Sequence, residues 1–341
     1  MNAAIAPVLI DPAARLVDGF GRAITYLRLS VTDRCDFRCV YCMAEDMTFL
    51  PRSAVLSLEE IERLARVFVG LGIRKIRLTG GEPLVRKGLV DLVARLGSLP
   101  GLDTLAMTTN GARLAPVAQA LRAGGLKQIN ISLDSLDPAR FRELTRTGEL
   151  ADVLAGVEAA VAAGFPRIRL NSVILKGRNE GDVLALVAYA ERMGVDLAFI
   201  EEMPLGVISE HDRAAAHVSG QDLLATIAAS RPLLPVDSRE VGGPARYHQV
   251  PGSSTRIGVI TPHSENFCAS CNRIRLTAEG RLLLCLGHEH SLDLRAPLRE
   301  GASDAELAGL ITAAMLRKPE RHEFALDGEP QIVRFMSMTG G

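Results

Sequence analysis

The sequence predicts an α/β fold: a parallel sheet, open or rolled into a partial barrel, with helices outside it and a smaller domain following. Two observations carry this. Six strand-like segments alternate with helix-like ones up to about Pro204, the pattern of successive βα units. The alternation then stops, and the rest of the chain holds a polar stretch, one helix at about 220–230, short strands and a last helix near 303–317. Residues 1–20 are expected to be a loosely held arm, 21–204 the βα body and 205–341 the second domain.

The elements follow in order. Ile24–Val31 is β-rich. Ser57-Leu-Glu-Glu60 has the form of a capping box, and Leu58, Ile61, Leu64, Ala65, Phe68 and Leu71 recur behind it at helical spacing. Further strands are expected at Ile73–Thr79, Asp103–Thr108, Lys127–Asp134, Arg167–Leu175 and Val195–Glu202. Between them lie helices at 86–98, 113–123, 138–163 (broken near Gly148) and 180–193. No tandem repeat or low-complexity tract interrupts the series.

The strands carry a second pattern. Arg28-Leu-Ser30, Arg77-Leu-Thr79 and Arg169-Leu-Asn171 each set an Arg two residues before a small polar residue, near the strand's C-terminal end. Residues i and i+2 share a strand face. Ala106, Thr108 and Asn110, and Asn130, Ser132 and Asp134, fit the same phasing. Turned inward, these faces line the end of the fold where βα proteins place their active sites. Convergent guanidiniums in a cavity require an anion, because a buried unpaired charge is strongly unfavourable. Each Arg pairing with its own carboxylate is the simpler alternative; three arginines in matched phase favour a polyanionic ligand.

Composition excludes several classes. Across 341 residues the formal net charge is −1, aromatics make up 4% and Trp is absent. There is no electrostatic footprint for nucleic acid or an anionic membrane, and few rings on which bases could stack. No apolar run is long enough to span a bilayer, and the opening MNAAIAPVLIDPAAR lacks a basic secretion signal. A cytoplasmic location is expected. There, clustered cysteines are metal ligands more often than disulfides.

All six cysteines fall into two triplets: Cys35, Cys39 and Cys42 as C-x3-C-x2-C, and Cys268, Cys271 and Cys285 as C-x2-C-x13-C. Three thiolates form an incomplete shell for a metal group that wants four ligands, so each set leaves a position for a small molecule. A zinc site is the plainer reading of either triplet, with His288 or His290 as the fourth ligand of the second.

Cys35-Asp-Phe-Arg-Cys39-Val-Tyr-Cys42, followed one βα unit later by Gly80-Gly81-Glu82-Pro83, resembles the radical S-adenosylmethionine superfamily. Cys268-x2-Cys271-Asn-Arg273-Ile274-Arg275, then Cys285 and a closing Gly340-Gly341, are similar to the molybdenum cofactor biosynthesis protein A family, the GTP 3′,8-cyclases. The resemblance runs from about Gly21 to the C-terminus.

It implies an incomplete (β/α)6 TIM-like barrel closed laterally by a smaller C-terminal α+β domain. It also implies two [4Fe-4S] clusters at opposite ends of a cavity, one on each cysteine triplet. S-adenosyl-L-methionine would bind the first cluster, beside Tyr41, Gly81, Ser132 and Met203. GTP would lie between the clusters against Arg28, Arg77, Thr108, Arg169, Arg273, Ile274 and Arg275. A 5′-deoxyadenosyl radical would take hydrogen from C3′ of the ribose, and the C3′ radical would close onto C8 of guanine. Arg273 and Arg275 would supply charge or a proton there, and Gly340 and Gly341 would reach into the cavity and support turnover.

The resemblance further implies a flavodoxin- or ferredoxin-like electron donor and a cyclic pyranopterin monophosphate synthase that receives the product. It allows a homodimer. Arg169 stands where the family commonly has Lys, which replaces a point charge by a planar fork. The competing readings are a peptide-modifying radical enzyme with an auxiliary cluster and a non-catalytic zinc- or nucleotide-binding protein.

Overall fold

The computed structural model describes residues 16–206, 208, 211–236, 243–324 and 332–340. Six parallel strands form its centre: β1 Tyr26–Ser30, β2 Lys75–Thr79, β3 Thr104–Thr109, β4 Leu126–Ser132, β5 Arg167–Val173 and β6 Asp196–Ile200. They lie side by side in chain order, each paired in parallel with the next. The helices between them are α1 Leu58–Gly70, α2 Leu89–Gly97, α3 Ala118–Ala123, α4 Pro138–Thr145, α5 Leu150–Ala162 and α6 Val183–Met193.

Local chemistry places these elements. The capping box at Ser57 forms, with the Ser57 hydroxyl accepting from Glu60 N and the Glu60 carboxylate accepting from Ser57 N. The long segment 138–163 divides where expected: α4 stops at Thr145, and Gly148 packs so closely on Phe37 and Phe141 that a side chain would not fit. α3 is shorter than the expected 113–123 because Pro116 disfavours helix in the residue before it.

The C-terminal segment contributes α7 Arg213–Ala216, α8 Gly220–Ala228, strands β7 Leu234–Val236, β8 Arg246–Gln249, β9 Arg256–Ile260, β10 Arg273–Leu276, β11 Arg281–Leu283 and β12 Ser291–Asp293, then α9 Arg295–Arg299, α10 Asp304–Met315 and α11 Met336–Thr339. These strands extend both edges of the central sheet. β10 pairs in parallel with β1 and leads to β11 and β12; β9 pairs in parallel with β6 and leads to β8 and β7. The sheet is therefore an incomplete barrel with an antiparallel extension at each open edge.

One apolar core joins the two segments. Leu27, Leu29, Ile76, Leu78, Ile129 and Leu170 belong to it with Ile274, Leu282, Leu307 and Ile311. The arm expected over 1–20 lies outside the described residues up to 15. Leu16 and Asp18 are instead buried, Asp18 gripping Arg22 in an ion pair at 2.6 Å while Arg22 also donates to the Cys268 carbonyl. Among the described residues no helix is long and apolar enough to cross a membrane.

Candidate active site

The inner face of the sheet carries the charge. Parallel register sets Arg275, Arg28 and Arg77 level across β10, β1 and β2, and Arg273, Tyr26 and Lys75 level one step before them. Arg169 on β5 stands level with Asn130 on β4. One cavity is lined by Arg28, Arg77, Arg169, Arg273 and Arg275, together with Lys75 and Arg167. Among the described residues no Asp or Glu forms an ion pair with Arg77, Arg169, Arg273 or Arg275. Arg77 donates to the Tyr26 hydroxyl at 2.7 Å, the Met107 carbonyl at 2.8 Å and Thr108 Oγ1 at 3.4 Å. Arg169 forks between Asn171 Oδ1 at 2.9 Å and the Tyr247 hydroxyl at 2.8 Å. Arg273 stacks on Phe267.

The crowding shows in the titration of the group. Burial and the neighbouring Arg77, Arg273 and Arg169 push Arg28 down to about 10, although Tyr26 opposes the shift. Burial with Arg28 and Arg273 holds Arg275 well below the ordinary guanidinium value. Burial and the surrounding cations, partly offset by Tyr26, lower Lys75 to about 8. Tyr26 goes the other way: burial resists ionisation, but Arg77, Arg28 and Lys75 bring its hydroxyl down to about 6. Such a cavity is built to receive a polyanion.

The first triplet sits at the C-terminal end of β1, in the loop after Asp33. Cys35, Cys39 and Cys42 line a cavity with Tyr41, Gly80, Gly81, Thr108, Ser132, Asp134 and Met203. The loop is clamped to the turn after β2, where Gly81 N donates to Thr32 O at 2.9 Å and Glu82 N to Arg34 O at 2.8 Å. A Cβ on Gly81 would lie 2.4 Å from Arg34 O, so glycine is demanded by the backbone of the cysteine loop itself.

Phe37 N donates to Cys35 Sγ at 3.4 Å, the type of main-chain donor a thiolate sulfur accepts. Burial first, then the like charge of neighbouring thiolates or acids, raises all three thiols, Cys42 to about 12. Their donor set fits a cluster held by three sulfurs with one position left open. Tyr41 donates to Asp134 at 2.7 Å, and burial keeps Asp134 up at about 6.

The second triplet lies at the other side of the arginine cavity, which Cys268, Cys271 and Cys285 also line. Burial resists ionisation of Cys271, but Arg273 and Lys318 lower it below the ordinary thiol value. His288 hydrogen-bonds the Arg321 carbonyl at 3.0 Å. Among the described residues no three His, Cys, Asp or Glu side chains converge on a single-ion site. A zinc ion needs sulfurs about 2.3 Å from one point.

The two cavities share Asn171, Ile200, Met203 and Met336 in their linings, so both triplets open onto one chamber. The C-terminal tail enters it. Gly340 O accepts from Arg275 at 2.5 Å and from Arg28 at 3.4 Å. Gly340 has φ +78°, and a Cβ there would fall 1.9 Å from Thr79 Oγ1. Gly341 lies outside the described residues. Ile274 borders the arginine cavity, but its side chain belongs to the apolar core, which leaves only its main chain for a ligand. Thr108 lines the first cavity and reaches the second through Arg77.

Several lining residues escaped the sequence reading, among them Lys75, Gln128 and Arg167. Each precedes a recognised position by two, namely Arg77, Asn130 and Arg169, so the same strand phasing extended one step would have found them. Lys318 had no such signal.

The Radical SAM superfamily model matches residues 29–190, and the Molybdenum Cofactor Synthesis C model matches residues 195–324. A GTP 3′,8-cyclase of Marinobacter nauticus is 57% identical over 97% of this chain and 100% of its own length. GTP 3′,8-cyclase 1 of Pseudomonas aeruginosa is 61% identical over 95% of this chain and 99% of its own. Streptococcus suis SuiB bound to S-adenosylmethionine shares the fold, with a TM-score of 0.60 and 14% identity over 93% of this chain and 78% of SuiB. The radical superfamily carries a [4Fe-4S] cluster and S-adenosylmethionine as its working cofactors. The chain belongs to the GTP 3′,8-cyclase family of the radical S-adenosylmethionine superfamily.

Proposed function

We propose that this protein converts GTP to (8S)-3′,8-cyclo-7,8-dihydroguanosine 5′-triphosphate, the first step of molybdenum cofactor synthesis. The observation that carries the reading is the single chamber with a cysteine triplet at each side and a cationic floor between them. When bound, the first cluster and S-adenosylmethionine supply a 5′-deoxyadenosyl radical.

The chain's own residues do the rest. Cys35, Cys39 and Cys42 hold the first cluster, and Tyr41, Gly81, Ser132 and Met203 surround the cosubstrate beside it. Cys268, Cys271 and Cys285 would hold a second cluster, beside which the guanine would bind. Arg28, Arg77 and Arg169, with Thr108, bind the triphosphate. Arg273 and Arg275 stand level with Tyr26 and Arg28 and place positive charge beside the reacting nucleotide; Ile274 offers its main chain. Holding both ends of GTP fixes the ribose next to the radical source, which is the largest service a protein can give such chemistry. The tail through Gly340 closes the chamber over Thr79. A flavodoxin- or ferredoxin-like donor supplies electrons from outside, and a cyclic pyranopterin monophosphate synthase takes the product.

Anaerobic reconstitution with iron and sulfide, then incubation with GTP and S-adenosylmethionine, tests this by mass spectrometry. The cyclised nucleotide and 5′-deoxyadenosine are expected together; 5′-deoxyadenosine that needs a peptide, or none at all, overturns the reading. Cys39→Ala is expected to abolish cleavage of S-adenosylmethionine. Cys271→Ala is expected to keep uncoupled cleavage and lose cyclisation, and Arg273→Ala to lose GTP turnover.

A further inference from the structure

We propose that Lys318 is a positioning residue of the second cysteine site, and that its buried charge raises the reduction potential of the metal group held there. The inference rests on the reading that Cys268, Cys271 and Cys285 hold an iron–sulfur cluster.

Lys318 follows the end of α10 and is 3% exposed. Its Nζ donates to Arg273 O at 3.0 Å and to Leu284 O at 2.5 Å. Those carbonyls belong to the two stretches that carry the triplet: Arg273 lies two residues after Cys271, and Leu284 directly precedes Cys285. One ammonium therefore ties both stretches together. No carboxylate among the described residues forms an ion pair with it, although it lines the same cavity as all three cysteines. A buried ammonium held only by carbonyls is costly unless an anion stands nearby. The thiols of Cys271 and Cys285, on the two stretches that Lys318 ties together, are able to become one. A fixed positive charge beside a cluster favours the state with the added electron.

The test uses the full-length chain with Cys35, Cys39 and Cys42 replaced by Ala, reconstituted anaerobically so that only the second site is loaded. Iron and sulfide content and an EPR-monitored redox titration are compared for Lys318, Lys318→Gln and Lys318→Arg. Lys318→Gln keeps a donor for the carbonyls and removes the charge. Its midpoint potential is expected to fall, by about 59 mV for each tenfold change in the one-electron equilibrium, while Lys318→Arg stays near the parent. Loss of the cluster in the Gln variant alone also supports a role for the charge. A loaded Gln variant with the parent's potential overturns the proposal, as does a fall or a loss that the Arg variant shares. Zinc, or no cluster, in the Lys318 parent instead removes the second-cluster reading itself.

Discussion

Gly340 shows how one backbone conformation ties the tail to the chamber. Its carbonyl is held by Arg275 and Arg28, and its φ of +78° lies where an L side chain is strained. Alanine there would drive a methyl group into Thr79, so the tail must leave its seat. Gly340→Ala is expected to lower cyclisation about a hundredfold, the scale set by ångström-sized misplacement. Iron content should be unchanged, and the melting temperature should stay within a few degrees; single-turnover product analysis checks it. Lys75 gives a second prediction at this scale. With its value near 8 in the free protein, it is charged below that pH and neutral above it. A triphosphate binds the charged form better, so GTP affinity should weaken as pH rises from about 7.5 to 9. Lys75→Met should bind more weakly at pH 7 and lose that pH limb in calorimetry. The sign for folding is the opposite: the charged form is penalised by burial, so stability rises with pH from about 8 toward 10.5.

At the scale of elements, the turn after β2 and the cysteine loop after β1 are one unit, fastened by two main-chain hydrogen bonds and a glycine contact. Gly81→Ala puts a methyl 2.4 Å from Arg34 O. That variant should retain iron at the second site, lose most of it at the first, and show no S-adenosylmethionine cleavage; iron analysis on single-site backgrounds reads this directly. The elements themselves were largely legible. A capping box, helical spacing of Leu and Ile, and period-two arginines are local signals, and α1, the break between α4 and α5, and the inward face of β1, β2 and β5 follow from them. What was not legible is non-local. β7, β8 and β9 are short runs, and β9 is fixed as a strand by pairing with β6 on one side and β8 on the other. Lys318 sits behind a helix end with no pattern around it, and its importance appears only when the chain brings it against Arg273 and Leu284. Leu16 and Asp18 look like a loose arm until Leu71 and Ile24 are seen to hold the first and Arg22 the second.

On the scale of the whole molecule, the sheet separates two sulfur sites into surroundings of opposite charge. Around the first triplet the charged neighbours acting on the thiols are acids, Glu82 and Asp36 beside Cys35 and Asp134 beside Cys39 and Cys42. Around the second they are cations, Arg273 and Lys318. The separation follows from topology: the first triplet follows β1 at its C-terminal end, while β10 brings the second alongside the start of the same strand. Net charge near a cluster is a principal determinant of its potential. On the reading proposed above, the first cluster should therefore have the lower potential and the second should be reduced more readily. The check is a pair of full-length proteins, one with Cys268, Cys271 and Cys285 replaced by Ala and one with Cys35, Cys39 and Cys42 so replaced. Titrated side by side under EPR, the protein holding only the first cluster is expected to show the more negative midpoint. Equal midpoints, or the reverse order, would show that hydrogen bonding and solvent access at the two sites outweigh the charge arrangement seen in the fold.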